Sequence, residues 1–202
     1  MQIFVFVFIC SLIASFLFNK IQIHQALNSC HSVFLDYFFQ LITFLGDGIF
    51  AVIISILIFV FKDKKEGILL LLTFLISALL AQLFKNFVFP DFMRPLFYIQ
   101  AGELKVETIK GLKMHLNHSF PSGHTTTIFA MCSMYSFFQN SKKIGFFLIL
   151  VAVITAYSRI YLSQHFLQDT LAGSLLGVMT SILIFYLFEK RITFKTNNST
   201  EK

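Results

Sequence analysis

Apolar residues in this chain come in long, nearly unbroken stretches rather than in strict alternation with polar ones. Six stretches stand out, near residues 1–18, 43–61, 67–84, 125–139, 144–162 and 170–188. A helix needs about 20 mostly apolar residues to cross a bilayer, so the pattern predicts an all-α fold, a six-transmembrane helical bundle. The fourth stretch must borrow flanking residues to reach across. Asn19 to Thr43 is different: Ile21, Leu27, Phe34 and Phe38 recur among polar neighbours, the mark of an amphipathic segment lying on a membrane surface. The longest polar connection runs from Lys85 to His124 and is too short for a second domain. One membrane domain over 1–190 is expected, its motif-bearing core at 85–188, followed by a short polar tail at 191–202.

Composition agrees with the pattern. Of 202 residues, 56% are hydrophobic and 13% charged, against roughly 45–50% and about 25% in soluble domains. Met1 to Phe18 contains no Lys or Arg, so it reads as a helix rather than a cleaved signal peptide. Cys10 and Cys132 fall inside apolar stretches and Cys30 stands alone outside them, which suggests neither a disulfide framework nor a zinc box. The net charge of +6 is carried largely by lysines flanking apolar stretches, where anionic lipid headgroups meet them; no nucleic-acid partner is expected.

Basic residues in short loops mark the cytoplasmic side. Lys62, Lys64, Lys65, Lys142, Lys143, Lys190, Arg191, Lys195 and Lys202 lie on one side, nine in all, against seven on the other, namely Lys20, Lys85, Arg94, Lys105, Lys110, Lys113 and Arg159. Assigning Lys85, Arg94 and Arg159 to chemistry leaves nine against four, which puts the termini in the cytoplasm of a multi-pass cell-membrane protein. With six spans, the connections at 19–42, 85–124 and 163–169 all open on the opposite face. Most of the histidines and polar clusters sit in or beside them.

Ionisable groups at membrane depth are functional suspects. Arg159, His165 and Asp169 cluster around the junction of the last two stretches. If the chain after His165 is helical, His165 and Asp169 lie one turn apart on one face, so the carboxylate can orient one ring nitrogen and leave the other basic. A second cluster, Ser119-Phe120-Pro121-Ser122-Gly123-His124, opens the fourth stretch and sets free backbone N–H groups and a positive helix end at one point, a phosphate-binding arrangement. The third is Lys85 with Arg94-Pro95, where Arg94 offers a planar fork for phosphate oxygens. His24, Cys30 and His31 fit no metal box and are given no functional role. Asp47, in Gly46-Asp47-Gly48, reads as an N-cap at the interface in preference to a catalytic group.

Ser158-Arg159, five residues, His165, three residues and Asp169, preceded by Pro121-Ser122-Gly123-His124 and Arg94-Pro95, resemble the type-2 phosphatidic-acid phosphatase family, which shares its core with the vanadium haloperoxidases. One spacing departs from the family pattern: eight residues rather than six separate Lys85 from Arg94, and position 87 is Phe. The resemblance implies a lipid phosphatase that uses no metal and no cofactor and works at the outer face of the membrane. In that reading His165 attacks phosphorus to form a phosphohistidine, Asp169 fixes its tautomer, and His124 protonates the departing oxygen and later activates water. Lys85, Arg94, Ser122, Gly123 and Arg159 hold the phosphate oxygens. The resemblance offers undecaprenyl diphosphate, lipid A, phosphatidylglycerophosphate and phosphatidic acid as substrates; the short chain favours the polyprenyl carrier, with lipid A second. A lipid-binding or transport protein is the non-enzyme alternative. A haloperoxidase is disfavoured by the hydrophobic content. The insert from Ile99 to His118 reads either as a cover for the pocket or as a solvated loop.

Overall fold

The computed structural model describes residues 2–139 and 141–199, and these are helices and loops throughout. The helices are α1 (Gln2–Leu17), α2 (Lys20–Leu27), α3 (Val33–Ile42), α4 (Gly48–Phe61), α5 (Lys64–Leu83), α6 (Pro95–Gln100), α7 (Gly123–Phe137), α8 (Lys142–Tyr161) and α9 (Leu167–Ser199). Every apolar stretch becomes a helix, but the stretches differ in reach. Among the described residues, Lys64–Val88, Lys142–Tyr161 and Leu167–Phe188 are each long and apolar enough to cross a membrane. A fourth crossing exists if Val33–Gly46 and Gly48–Phe61, bent by 60° at their junction, count as one. α1 and α7 have 16 and 15 residues.

The stretch expected at 43–61 is therefore broken. Thr43–Gly46 forms a 3₁₀ turn, and Asp47 leaves helical geometry at ψ 144° to cap α4 by accepting from the Ile49 N–H at 2.8 Å. The cap satisfies a donor that the start of a helix leaves unpaired. The amphipathic segment divides in the same way. Asn19 caps α2 and Ser32 caps α3, each side chain accepting from a first-turn amide. At the other end of the chain α9 continues beyond its apolar part, into the polar tail, as far as Ser199.

α7 is the central helix. One face packs with α4, α5 and α9 through Ala51, Leu69, Leu70, Met131, Met134 and Ile184. Another meets α8 through Ile128, Phe129, Cys132 and Ala152. α9 approaches α7 unusually closely because it offers no side chain where the two cross. A Cβ on Gly173 would stand 2.6 Å from the Ser122 carbonyl oxygen, and one on Gly177 would stand 2.5 Å from that of Thr126. Ser181 then donates to the Ala130 carbonyl at 2.9 Å. Small residues and hydroxyls of this kind let membrane helices pack backbone to backbone. The outer faces of α4 and α9 expose Ile49, Ile53, Ile56, Val60, Met179, Ile182, Leu183 and Tyr186, as suits helices solvated by lipid.

Candidate active site

The C-terminal ends of α5 and α8 and the N-terminal ends of α7 and α9 meet at one end of the bundle. α8 stops at Tyr161, and the chain doubles back so that the Gln164 and His165 N–H groups both donate to the Arg159 carbonyl, at 2.9 and 3.1 Å. Ser163 takes a φ of 49° to make the turn. This brings His165 in one turn before Asp169, with both side chains almost wholly buried. A single carboxylate oxygen, Asp169 Oδ2, faces three donors: His165 Nδ1 at 3.3 Å, the Ser119 hydroxyl at 2.5 Å and the Phe166 N–H at 2.9 Å. A carboxylate can only accept, so the proton of neutral His165 is held on Nδ1 and Nε2 keeps its lone pair. Burial, reinforced by Arg94, Lys85, Arg159 and His124, pushes the His165 pKa well below its ordinary value. The imidazole is neutral at neutral pH and so able to act as a nucleophile.

Pro121-Ser122-Gly123-His124 lies directly against this pair. The Ser122 N–H donates to the Asp169 carbonyl at 2.9 Å, tying the start of α7 to the start of α9. Thr125 donates to the Ser122 oxygen at 2.9 Å, which leaves the Ser122 proton free for a ligand. The first-turn amides of α7 stay available at the positive end of the helix.

Three cations surround the site. Arg94 is held by backbone carbonyls, with Nε donating to Asn117 at 2.9 Å and Nη1 and Nη2 reaching Gln164 and His118 at 3.5 Å. Arg159 is 7% exposed; its Nη1 donates to Thr43 at 2.6 Å, and its Nε is buried without a hydrogen-bond partner among the described residues. Lys85 is also 7% exposed. The departure in its spacing is absorbed by a wide π-helical turn, Phe84–Val88. There Phe87 points outward while the Lys85 Nζ reaches within 3.9 Å of where a Gly123 Cβ would be. A Cβ there would stand in ordinary van der Waals contact with the ammonium. Buried cations without enough anions are costly, and among the described residues the one buried carboxylate, Asp169, is already engaged by three donors. Such a cluster of cations and free amides can hold an anion.

All eight residues singled out from the sequence thus gather at one end of the bundle: His165, Asp169, His124, Lys85, Arg94, Ser122, Gly123 and Arg159. Others were not foreseen. Ser119 was seen only as part of a motif-bearing cluster, yet its hydroxyl makes the shortest bond to Asp169. His24 and His31, given no functional role, are not ligands but belong to a buried clamp on the reactive turn. His24 Nε2 pairs with the Ser163 hydroxyl at 3.1 Å, Asn28 donates to the Ile160 and Tyr161 carbonyls at 3.1 and 2.7 Å, and His31 bridges Asn28 and Asp36 at 3.0 Å. No spacing rule announces the contacts of His24 and Asn28 with the turn, because they join positions more than a hundred residues apart. The 99–118 insert is stitched to the rim. Leu116 accepts from the Arg94 N–H at 2.8 Å and Lys113 accepts from the Gln164 amide at 3.0 Å, while Glu103, Lys105, Glu107 and Lys110 remain exposed.

The chain is similar to several known proteins. Bacitracin transport permease protein BcrC of Bacillus licheniformis is 32% identical over 81 residues, 40% of this chain and 39% of that one. Undecaprenyl-diphosphatase BcrC of Bacillus subtilis is 30% identical over 96 residues, 47% of this chain and 49% of that protein. The chain therefore spans less than half the length of these two relatives. Lipid A 4'-phosphatase of Porphyromonas gingivalis is 28% identical over 167 residues, covering 80% of this chain and 70% of that one. Among solved structures, a transmembrane PAP2 type phosphatidylglycerolphosphate phosphatase from Bacillus subtilis superposes with a TM-score of 0.71 at 25% identity, over 94% of this chain and 98% of its own. A model of the PAP2 superfamily matches residues 66–193, a stretch that holds every residue of the site, and the chain belongs to that superfamily.

Proposed function

We propose that this protein is a membrane lipid phosphatase that hydrolyses a phosphate or diphosphate headgroup through a phosphohistidine intermediate. The observation that carries the reading is a neutral, buried imidazole whose proton is held by a carboxylate, set among three cations of which Lys85 and Arg159 are buried. His165 Nε2 attacks phosphorus in line, and the bond from phosphorus to the lipid oxygen breaks. His124 gives that oxygen a proton, then takes one from the water that cleaves the P–N bond and releases inorganic phosphate. Arg94, Arg159, Lys85, the Ser122 hydroxyl and the Gly123 amide hold the three equatorial oxygens, where charge accumulates in the transition state.

The lipid part of the reading has its own support. An apolar crevice of about 470 Å³, lined by residues that include Leu45, Ala51, Ile54, Ile128, Cys132 and Leu148, descends between α4, α7 and α8. Ile128 lies one helical turn from His124, so a tail leaving the reactive centre has an apolar path into the bilayer. The relatives are named for undecaprenyl diphosphate and lipid A. The polyprenyl diphosphate is proposed as the preferred substrate and lipid A as the second. We further infer that α1 and α7 complete six crossings, that both termini are cytoplasmic, and that the site opens on the outer face.

A panel of purified lipid phosphates, assayed for inorganic phosphate with detergent-purified protein, tests the function. Release that persists in chelator and vanishes in His165→Ala is expected. A His165→Ala variant with near-normal turnover ends the reading, as does dependence on added Mg²⁺ or Zn²⁺. Because one relative is named a transport permease, the same assay also separates catalysis from lipid binding or transport, which release no phosphate.

A further inference from the structure

The corner that breaks the second apolar stretch lies against the reactive centre. Thr43 accepts from the Arg159 guanidinium at 2.6 Å. A Cβ on Gly46 would stand 2.7 Å from the His124 carbonyl oxygen and 2.9 Å from the His124 Cβ, so the corner packs directly on that residue. Asp47 follows. One of its oxygens, Oδ1, caps α4 at 2.8 Å, as the sequence predicts. The other, Oδ2, does not take part in the cap and lies 3.9 Å from His124 Nε2, the two side chains being 38% and 33% exposed.

From this we infer that Asp47 is the positioning carboxylate of His124. The α4 cap anchors it, its free oxygen engages Nε2, and Nδ1 is left to carry the proton to the departing lipid oxygen. The inference rests on the proposed role of His124 as proton donor. It gives the two histidines matching supports, Asp169 for the nucleophile and Asp47 for the acid. The need is electrostatic. Burial comes first against a charged His124, and the charges that oppose it are cations, with Arg159 arriving from α8, Lys85 from the turn after α5 and Arg94 from the following loop. Neutral His165 lies across the site. Three positive charges oppose the imidazolium that a proton donor must become, and Asp47, whose charge also acts on Arg159, is the carboxylate within reach of Nε2. At 3.9 Å the two side chains are within ion-pair distance, and catalytic hydrogen bonds often tighten only when the substrate is bound.

The cap role and the positioning role can be separated, because Asn and Ser cap helices about as well as Asp but carry no charge. Asp47→Asn and Asp47→Ser are therefore expected to keep the thermal midpoint of the purified protein. On an alkyl phosphate each is expected to lose about 10- to 100-fold in kcat, a part of what general acid catalysis supplies. The alkaline limb of kcat, where His124 loses its proton, should move to lower pH by about one unit, because removing an opposite charge disfavours the protonated form. On a nitrophenyl phosphate, whose leaving group needs no proton, the first-turnover burst should stay within about threefold of wild type. Wild-type kcat and an unmoved alkaline limb in both variants would overturn the inference, as would an equal loss on both substrates accompanied by a lowered midpoint, which is a structural defect alone. The parallel His165→Ala and His124→Ala variants keep the failures apart. If both are inactive while the Asp47 variants are normal, only this inference falls; if His165→Ala stays active, the phosphohistidine reading falls with it.

Discussion

Asp169 Oδ2 is where the chemistry of single residues is decided. Three donors converge on one oxygen, so none of them can fully replace another. Ser119→Ala removes the shortest bond, and hydrogen bonds to charged groups contribute about 1.5–3 kcal/mol. The expected outcome is a roughly 10- to 100-fold fall in kcat with KM nearly unchanged, measured as steady-state phosphate release, because Ser119 orients His165 through the carboxylate and touches no substrate. The pH dependence follows from the same group. His165 must be neutral to attack, and its pKa in the folded protein lies below the ordinary 6.5. Activity is therefore present above that lowered value and is lost as pH falls through it, which puts the acid limb of kcat/KM below pH 6.5. Arg94→Ala takes away one of the cations that lower it, so the limb should move upward in that variant. Both profiles are to be divided by the separately measured ionisation of the phosphate ester. His165 and Asp169 were legible as a pair because four residues on a helix return to the same face. Ser119 was not, since a hydroxyl fifty residues upstream carries no periodic signal.

Helix contacts place these residues. The Ser122 N–H bond to the Asp169 carbonyl joins the N-terminal end of α7 to the carboxylate-bearing end of α9, and it survives only while the two backbones lie close. Gly177 keeps them close, two turns below. Gly177→Val would set a Cβ within 2.5 Å of the Thr126 carbonyl oxygen, and overpacking of this kind costs about 1–3 kcal/mol. A lowered thermal midpoint and a raised KM for the phosphate group are expected together, because the two halves of the anion site separate. A phosphate-release assay run well below the midpoint distinguishes the second effect from unfolding. The apolar stretches announced the helices. They did not announce the corner at Thr43–Asp47, because an interface cap and a reactive-site wall use the same Gly-Asp-Gly. Nor did they announce that the surface-like segment would turn inward, with His24, Asn28 and His31 clamped beneath the reactive turn.

Over the whole molecule, all the chemistry sits at one end of a bundle whose flanks are apolar. If that end faces outward, a Cys introduced in place of Lys113 on the rim should be labelled in intact cells by a membrane-impermeant maleimide. One introduced in place of Lys64, at the opposite end, should react only after lysis. Cys10 and Cys30 are exposed and are first changed to Ser. The reverse pattern would invert the topology while leaving the chemistry intact. The sequence by itself determined the helices of the long apolar runs and pointed to the eight residues proposed for the anion site. Long apolar runs have few alternatives in a bilayer, and His165, Asp169 and the Ser122-Gly123-His124 group are local patterns that a helix end turns directly into geometry. Tertiary structure alone decided which hydroxyl steadies the carboxylate, how Lys85 reaches the site across two extra residues, and which carboxylate stands behind His124. Those are meetings between distant segments, set by how closely backbones pack rather than by any spacing along the chain.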